Sequence, residues 1–517
     1  MTKQSFLKGA FILIMAGLIT RILGFANKIV VARIMGAEGV GLYMMAVPTL
    51  LLIITLTQLG LPVAISKLVA EADADNDRTK IKRILVVSLS VTAVLSIIFT
   101  VLMIIGAPLI SRHLLTDPRA FYPLVAISPI VPIVALSSVL RGYFQGLQNM
   151  KPTAYSQIIE QMVRITLVAT FTTAFLPYGI EYAAAGAMLS AVLGELASLL
   201  YMVYTFKRKK KFRVRRRFFT YAKDGRDTLN DLLAIALPTT GSRLIGSVSF
   251  FFEPIVVAQS LALAGVATVV ATSQYGELAG YVIPMLLLPT FITYSLSVSL
   301  VPAISEAAHQ NNYKMIHHRL EQALRLAFVS GGCSVVILYV FAEPIMELVY
   351  NAPTVAAYLK IMAPFSLMLY LQGPLQAALQ ALSLAKAAMI NSFIGAFVKI
   401  AAIFVLASRP ELGIMGAALA IVIGFLLVTL LHFATLVKTI SFTLNIRDIF
   451  KVLTAIVITG ALAHWLWDHS FTQADLLPRT LLLIVLAGFF YFLIISGMGL
   501  IKKEEAARIP LLRNFIR

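Results

Sequence analysis

Apolar residues run along this chain in long blocks separated by short polar breaks. Fourteen blocks reach the ~20 residues that a bilayer-spanning helix needs. They lie near 9–35, 39–66, 83–110, 120–147, 153–176, 182–206, 229–262, 276–304, 320–341, 354–382, 386–408, 412–438, 449–467 and 479–500. The pattern predicts an all-α polytopic membrane protein with fourteen transmembrane helices. Proline pairs inside the blocks, "PIVP" at 129–132 and Pro284 with Pro289, predict helix breaks.

Composition agrees. The 517 residues are 59% hydrophobic and 13% charged, about half the charged share of a soluble domain. Lys3 and Lys8 precede the first block as in a signal peptide, but the run is too long and lacks a short cleavage site. It reads as an uncleaved first span.

Charge orders the breaks. Residues 207–226, "KRKKKFRVRRRFFTYAKDGR", hold eleven Lys/Arg. "RTKIKR" at 78–83, "NNYKMIHHR" at 311–319, Lys438, Arg447, Lys451, Lys502 and Lys503 fall on the same side. The opposite side has only scattered cations such as Arg112, Arg119, Arg409 and Arg479. The positive-inside rule places both termini and the 207–228 linker in the cytoplasm of a cell-membrane protein. Between two spans the basic run reads as a topology signal against anionic headgroups, and no nucleic-acid partner is expected.

Four weak internal matches occur in the same order. "ITRILG" at 19–24 meets "GSRLIG" at 241–246, and "AIS" at 64–66 meets "AIS" at 303–305. "QGLQNMKPTAYSQIIEQMVRI" at 145–165 meets "QALSLAKAAMINSFIGAFVKI" at 380–400, and "GAMLSAVLG" at 186–194 meets "GAALAIVIG" at 416–424. Spans 1–6 and 7–12 therefore read as two parallel six-helix repeats. The expected domains are an N-lobe at 1–206, the linker, a C-lobe at 229–440, and two extra spans with a tail at 441–517. Parallel repeats commonly enclose a substrate site between the halves.

The matches pair Arg21 with Arg243 and Arg164 with Lys399, each inside an apolar block. An arginine at bilayer depth costs at least ~2.5–3.5 kcal/mol on insertion scales, so such a residue is a functional candidate. If the lobes face each other, four cations converge on a central cavity suited to a phosphate or pyrophosphate. The alternative is packing, each cation held by a carboxylate or helix carbonyl. Glu160 precedes Arg164 by one helical turn and is placed to pair with it. Glu253 and Glu277 are candidates for ion coupling or structural pairing. Glu195 in span 6 has no partner visible in the sequence.

Other chemistry is thin. No G-x-x-x-x-G-K-[ST] run occurs, and no Cys/His spacing suggests a metal. The outer loops are too short for an active site, so neither cofactor nor enzyme chemistry is expected.

"TRILGF" with "ARIMGAEGVGLY", then "RGYFQGLQNMKPTAYSQIIEQMVR", and the 6+6+2 span count resemble the polysaccharide-export branch of the multidrug/oligosaccharidyl-lipid/polysaccharide flippase superfamily. The resemblance covers almost the whole chain. It implies non-enzymatic export of an undecaprenyl-pyrophosphate-linked sugar by alternating access. The implied cargo is lipid II for spore cortex peptidoglycan, with membrane lipids and peptidoglycan synthases as partners. It also implies a lipid-tail groove formed by the last two spans. In the lipid II flippase motif S-R-V-L-G-F-A-R-D the first arginine falls on Arg21. The second falls on Asn27, with Lys28 beside it, and the arginine of A-R-I-F-G-A falls on Arg33. Two further family arginines, in spans 2 and 8, have no counterpart here. A flippase for another lipid-linked oligosaccharide, a drug/cation antiporter of the same fold, and a non-transporting scaffold for cortex synthesis remain open.

Overall fold

The structure is a computed structural model describing residues 6–209 and 225–500. Most of the basic linker and the lysines of the C-terminal tail lie outside the described residues. Among the described residues every regular element is helical. Hydrocarbon offers a backbone N–H or C=O no partner, and a helix satisfies both within one segment.

Twelve helical stretches are long and apolar enough to cross a membrane. They become thirteen if Pro353–Met362 and Ser366–Ala381, bent by 53°, form one span. The first stretch, Met15–Ala74, has 60 residues. A straight helix of that length would measure about 90 Å, three times the hydrocarbon thickness. It is broken instead. Gly36 takes φ 65° and ψ −172° inside helix α1 (Phe6–Gln58). A second break at Leu59 and Gly60, both with positive φ, separates α1 from α2 (Leu61–Ala74).

The chain packs as two compact units. Unit 1 comprises residues 1–280 with 407–414. It holds α1, α2, α3 (Arg78–Leu109), α4 (Phe121–Ile127), α5 (Ile130–Gly146), α6 (Lys151–Phe175), α7 (Ile180–Lys209), α8 (Arg226–Leu263) and α9 (Thr268–Gly276). Unit 2 comprises 281–406 and 415–517. It holds α10 (Ile283–Leu287), α11 (Thr290–His309), α12 (Tyr313–Val340), α13 (Ala342–Tyr350), α14 (Ala356–Met362), α15 (Ser366–Ala381), α16 (Ala385–Ala407), α18 (Ile446–His469) and α19 (Leu476–Gly497), with nearly all of α17 (Gly413–Ile440). The expected proline breaks occur: α4 gives way to α5 at Ser128–Pro129, and Pro289 stands between α10 and α11.

The same joints are built in each unit 235 positions apart. Asn76 and Asn311 both take a left-handed conformation, as do Gln148 and Ser383, and Thr116 and Asn351. At the first pair the hydrogen bonds repeat as well: Asp77 N donates to Ala72 O, and Asn312 N to Ala307 O. The side chains of Asp77 and Asn312 then cap the next helix by accepting from Lys80 N and Met315 N. Short 3₁₀ turns follow at Pro118–Ala120 and Pro353–Val355. This spacing sets "AIS" at 64–66 opposite 299–301, one helical turn before the "AIS" at 303–305. Those three letters match by chance of composition, because a helix of small and branched residues fits its neighbour equally well one turn along.

Backbones approach most closely in unit 1 where α1 meets α9. A methyl group added at Gly41 would stand 2.0 Å from the Thr272 carbonyl oxygen, and one at Gly276 would stand 2.0 Å from that of Ala37. Small residues permit such contacts, which hold helices together in lipid. Gly276→Ala should lower stability by about 1–3 kcal/mol through overpacking. Gly460→Ala, at a glycine with open space around it, should change little. Thermal unfolding of the purified variants in detergent checks the contrast.

Candidate functional site

The expected cations divide between the units. Arg21, Lys28, Arg33, Arg164 and Arg243 belong to unit 1, and Lys399 to unit 2. Arg21, Arg33 and Arg243 have exposed side chains, and Lys28 is half-buried. Asn27, where the family motif carries its second arginine, is buried, and its Oδ1 has no hydrogen-bond partner. On α1 the positions around Arg21 are mainly apolar, whereas in sequence Arg243 on α8 stands among Thr239, Thr240, Ser242 and Ser247.

Arg164 and Lys399 share a local setting. On α7 a methyl added at Gly194 would meet Arg164 Cβ at 3.2 Å, and on α17 one added at Gly424 would meet Lys399 Cβ at 3.2 Å. In each unit a glycine lets the helix that bears the cation come close to the next one, and at Gly424 the aliphatic stem of Lys399 lies against it. Arg164 is also paired as its spacing predicts, Nη2 donating to Glu160 Oε1 at 2.8 Å.

The structure supplies the partner for Glu195 that sequence reasoning missed. Arg141 on α5 donates from Nη2 to Glu195 Oε1 at 2.8 Å, and the Glu195 side chain is only 5% exposed. The sequence signal was a lone cation in span 4 and a lone acid in span 6, opposite charges that apolar surroundings force together. Arg141–Glu195 thus joins α5 to α7, and Glu160–Arg164 lies within α6.

A second ionic knot lies between α3 and α4. Asp117, buried, accepts from Arg119 Nε at 3.0 Å, Arg119 Nη2 at 2.9 Å and Thr272 Oγ1 at 2.7 Å. Arg119 Nη1 donates in turn to Glu38, just beyond the Gly36 break. This knot joins α1, the 110–120 segment and α9. Burial pushes the Asp117 carboxyl up, but the hydrogen bonds from Arg119 and Thr272 outweigh it and hold the group below its ordinary value.

Of the expected coupling acids, Glu253 is buried beside the fully buried Tyr275, and Glu277 is half-buried at the start of a π-helical turn. In unit 2 a cavity of about 880 Å³ opens against α18 and α12. Its wall is largely apolar (Val335, Val336, Val340, Ile456, Val457), and Glu343, Glu347, Lys360 and His464 also line it. Such a lining suits a molecule with a hydrocarbon part and a charged part.

A family model described as "Polysaccharide biosynthesis protein" matches residues 6–308, and a second, "MatE", matches residues 254–405. The chain is 57% identical over 516 residues to "Stage V sporulation protein B" of Bacillus subtilis (strain 168), covering 100% of both chains. It is 23% identical to "Lipid II flippase MurJ" of the same organism over 98% of this chain and 97% of that one. Among solved structures, "Lipid II flippase MurJ, inward closed conformation" superposes with a TM-score of 0.69 at 17% identity, covering 97% of this chain and 99% of the other. An inward-facing multidrug resistance MATE family transporter gives 0.65 at 18% identity, with 82% and 94% covered.

The Asp117 knot has a pH signature. A carboxyl whose folded pKa is depressed stabilises the fold fully above its unfolded value, near about 3.9. That contribution is lost as pH falls through the lower folded value. Unfolding midpoints in detergent should therefore show a penalty of about 2–3 kcal/mol for Asp117→Asn, constant across neutral and mildly acid pH. Only in strong acid should it shrink, as the parent loses the same charge.

Proposed function

We propose that this chain, which belongs to the polysaccharide biosynthesis protein family of the multidrug/oligosaccharidyl-lipid/polysaccharide superfamily, carries lipid II across the cytoplasmic membrane for spore cortex synthesis. The membrane-embedded flippase architecture is common to the superfamily. Cargo and biological role go beyond the family assignment and rest chiefly on the full-length 57% identity to a sporulation protein.

The physical argument begins with Arg21 and Arg243. In this reading both face a central cavity, where they screen the cargo's diphosphate while its prenyl tail stays in lipid. Without such cations, burying that charge costs several kcal/mol or more. Arg164, Lys399, Lys28 and Arg33 form the surrounding positive field. Counting the two arms of Met15–Ala74 separately, and the bent pair as one, gives fourteen spans in two parallel repeats plus two. The apolar groove against α18 takes the tail. Peptidoglycan synthases would consume the product on the far side. The MatE match favours a second reading, a drug/cation antiporter. An antiporter for cations wants carboxylates where Arg21 and Arg243 stand.

Two measurements test this. In vesicles containing only this protein, lipid II added to one leaflet should become accessible on the other. Arg21→Lys, which keeps charge but loses the planar fork, should slow translocation partly, and Arg21→Glu should abolish it at equal abundance. Full translocation by Arg21→Glu refutes the anion cavity. For orientation, Arg215→Cys and Arg112→Cys, each introduced with Cys333→Ser, should label from opposite sides of the membrane. Labelling from one side refutes the assigned topology.

A further inference from the structure

The cavity of unit 2 has an apolar wall and a charged rim. The wall includes Val336 and Tyr339 of α12 and Ile456 and Val457 of α18. Tyr339 is 49% exposed and Val457 69%, so the wall offers apolar surface to whatever enters. Gly460 also lines it, and a methyl added there would meet nothing within 4 Å. The groove is open where a longer side chain would fill it.

Its depth fixes the orientation of an occupant. α18 is long and apolar enough to cross a membrane. Lys451 and Asp468, near its two ends, are about 25 Å apart at 1.5 Å per residue, close to the thickness of a hydrocarbon core. His464 and Asp468 thus stand at head-group level, and Ile456 lies about 12 Å deeper than His464. Both tryptophans of the chain, Trp465 and Trp467, stand beside them, as tryptophans do at a membrane interface. A molecule in this groove has a hydrocarbon chain along the wall and a polar head at the rim.

The rim selects the head. Lys360 Nζ stands 3.9 Å from Glu343 Oε2, and His464 Nε2 3.7 Å from Asp468 Oδ2. Glu347, one turn beyond Glu343 on the same exposed face of α13, has no ion pair among the described residues. Arg479 is engaged with Trp467: its guanidinium lies 4.3 Å from the ring centre, and Nη2 donates to the Trp467 carbonyl. With histidine counted as neutral, three carboxylates and one ammonium line the mouth. An anionic head meets net repulsion there. A zwitterion finds partners for both of its charges, Glu347 and Asp468 for a primary ammonium and Lys360 for a phosphate.

The fold does not impose these charges. At the 235-residue spacing of the two units, Val336 and Tyr339 correspond to Val101 and Ile104, so the apolar face recurs. Glu343, Glu347 and Lys360 correspond to Pro108, Arg112 and Val125. Unit 1 carries the opposite sign where Glu347 stands.

We propose that this groove binds a phospholipid with a primary-ammonium head group, of the phosphatidylethanolamine class, one acyl chain lying against α12 and α18. The binding stands without the flippase reading. Under that reading the cargo's tail enters the same groove and displaces the phospholipid.

The two tryptophans supply the test. Trp465→Phe leaves Trp467, a lining residue, as the sole tryptophan of the full-length protein. In bilayers of phosphatidylcholine with rising fractions of a chain-brominated lipid, quenching of Trp467 reads which lipid occupies the groove. Lipids with identical chains and different heads are compared, so the wall contributes equally. Phosphatidylethanolamine should be preferred over phosphatidylcholine, which has no N–H to donate, by about three- to fivefold, the size an exposed ion pair supports. Phosphatidylglycerol, an anion, should rank last. Glu347→Gln combined with Asp468→Asn, both at exposed positions, should bring the ethanolamine preference to about one. Gly460→Leu, which fills the groove, should weaken quenching by every lipid. No preference in the parent, a preference for phosphatidylglycerol, an ethanolamine preference that survives the double substitution, or quenching unmoved by Gly460→Leu overturns the site. Unbrominated lipid II should relieve quenching by the ethanolamine lipid. If quenching persists while lipid II is translocated, the displacement is overturned and the phospholipid site stands. No translocation of lipid II, with the ethanolamine preference intact, overturns the flippase reading and leaves the site.

Discussion

A charge inside an apolar helix bundle must be met by another group, because hydrocarbon supplies nothing to meet it. Unit 1 is arranged around such meetings: Arg141 with Glu195, Arg164 with Glu160, and Arg119 with Asp117 and Glu38. Arg141–Glu195 and Arg119–Glu38 join separate segments that the apolar surfaces alone would leave free to slide, since lipid tails solvate leucine as well as another helix does. Glycines then set how near the joined helices come, as at Gly194 and Gly41.

The carboxylates of these contacts are bonded differently. The Asp117 knot is multiply bonded, with carboxylate oxygens accepting from a guanidinium, a backbone N–H and a hydroxyl. Such a carboxylate is ionised and stays so, which suits a fixed fastening. The Glu160 and Glu195 carboxylates each accept a single arginine Nη2 instead, the first within α6 and the second between α5 and α7.

Much of this was legible in the sequence because it is local. Span positions follow from block length, the breaks at Pro129 and Pro289 from a missing N–H, and Arg164–Glu160 from one turn of helix. The glycine contacts at Gly194 and Gly424 sit where the repeat match "GAMLSAVLG"/"GAALAIVIG" ends. What stayed hidden is non-local. Glu195 finds Arg141 54 residues away, and Asp117 finds Thr272 155 residues away. No spacing rule connects residues on separate helices whose rotation about their axes is set by packing. Unpaired opposite charges in neighbouring spans were the only hint, and one of them, Arg141, stood unremarked inside the quoted motif "RGYFQGLQNMKP". The "AIS" match failed for a related reason: three common letters do not distinguish one turn of a helix from the next.

The Gly36 joint carries a consequence of leverage. From Phe6 to Gly36 the chain is helical, an arm of thirty residues or about 45 Å at 1.5 Å per residue. An arm that long, pivoting through about 10° at a single backbone position, sweeps its far end through about 8 Å, close to the spacing between packed helix axes. Glycine's freedom from a Cβ makes that position the compliant point, and the Arg119–Glu38 bond clamps the chain two residues beyond it. A torsional adjustment too small to disturb the clamped side is thus read out at the other end as the width of a helix.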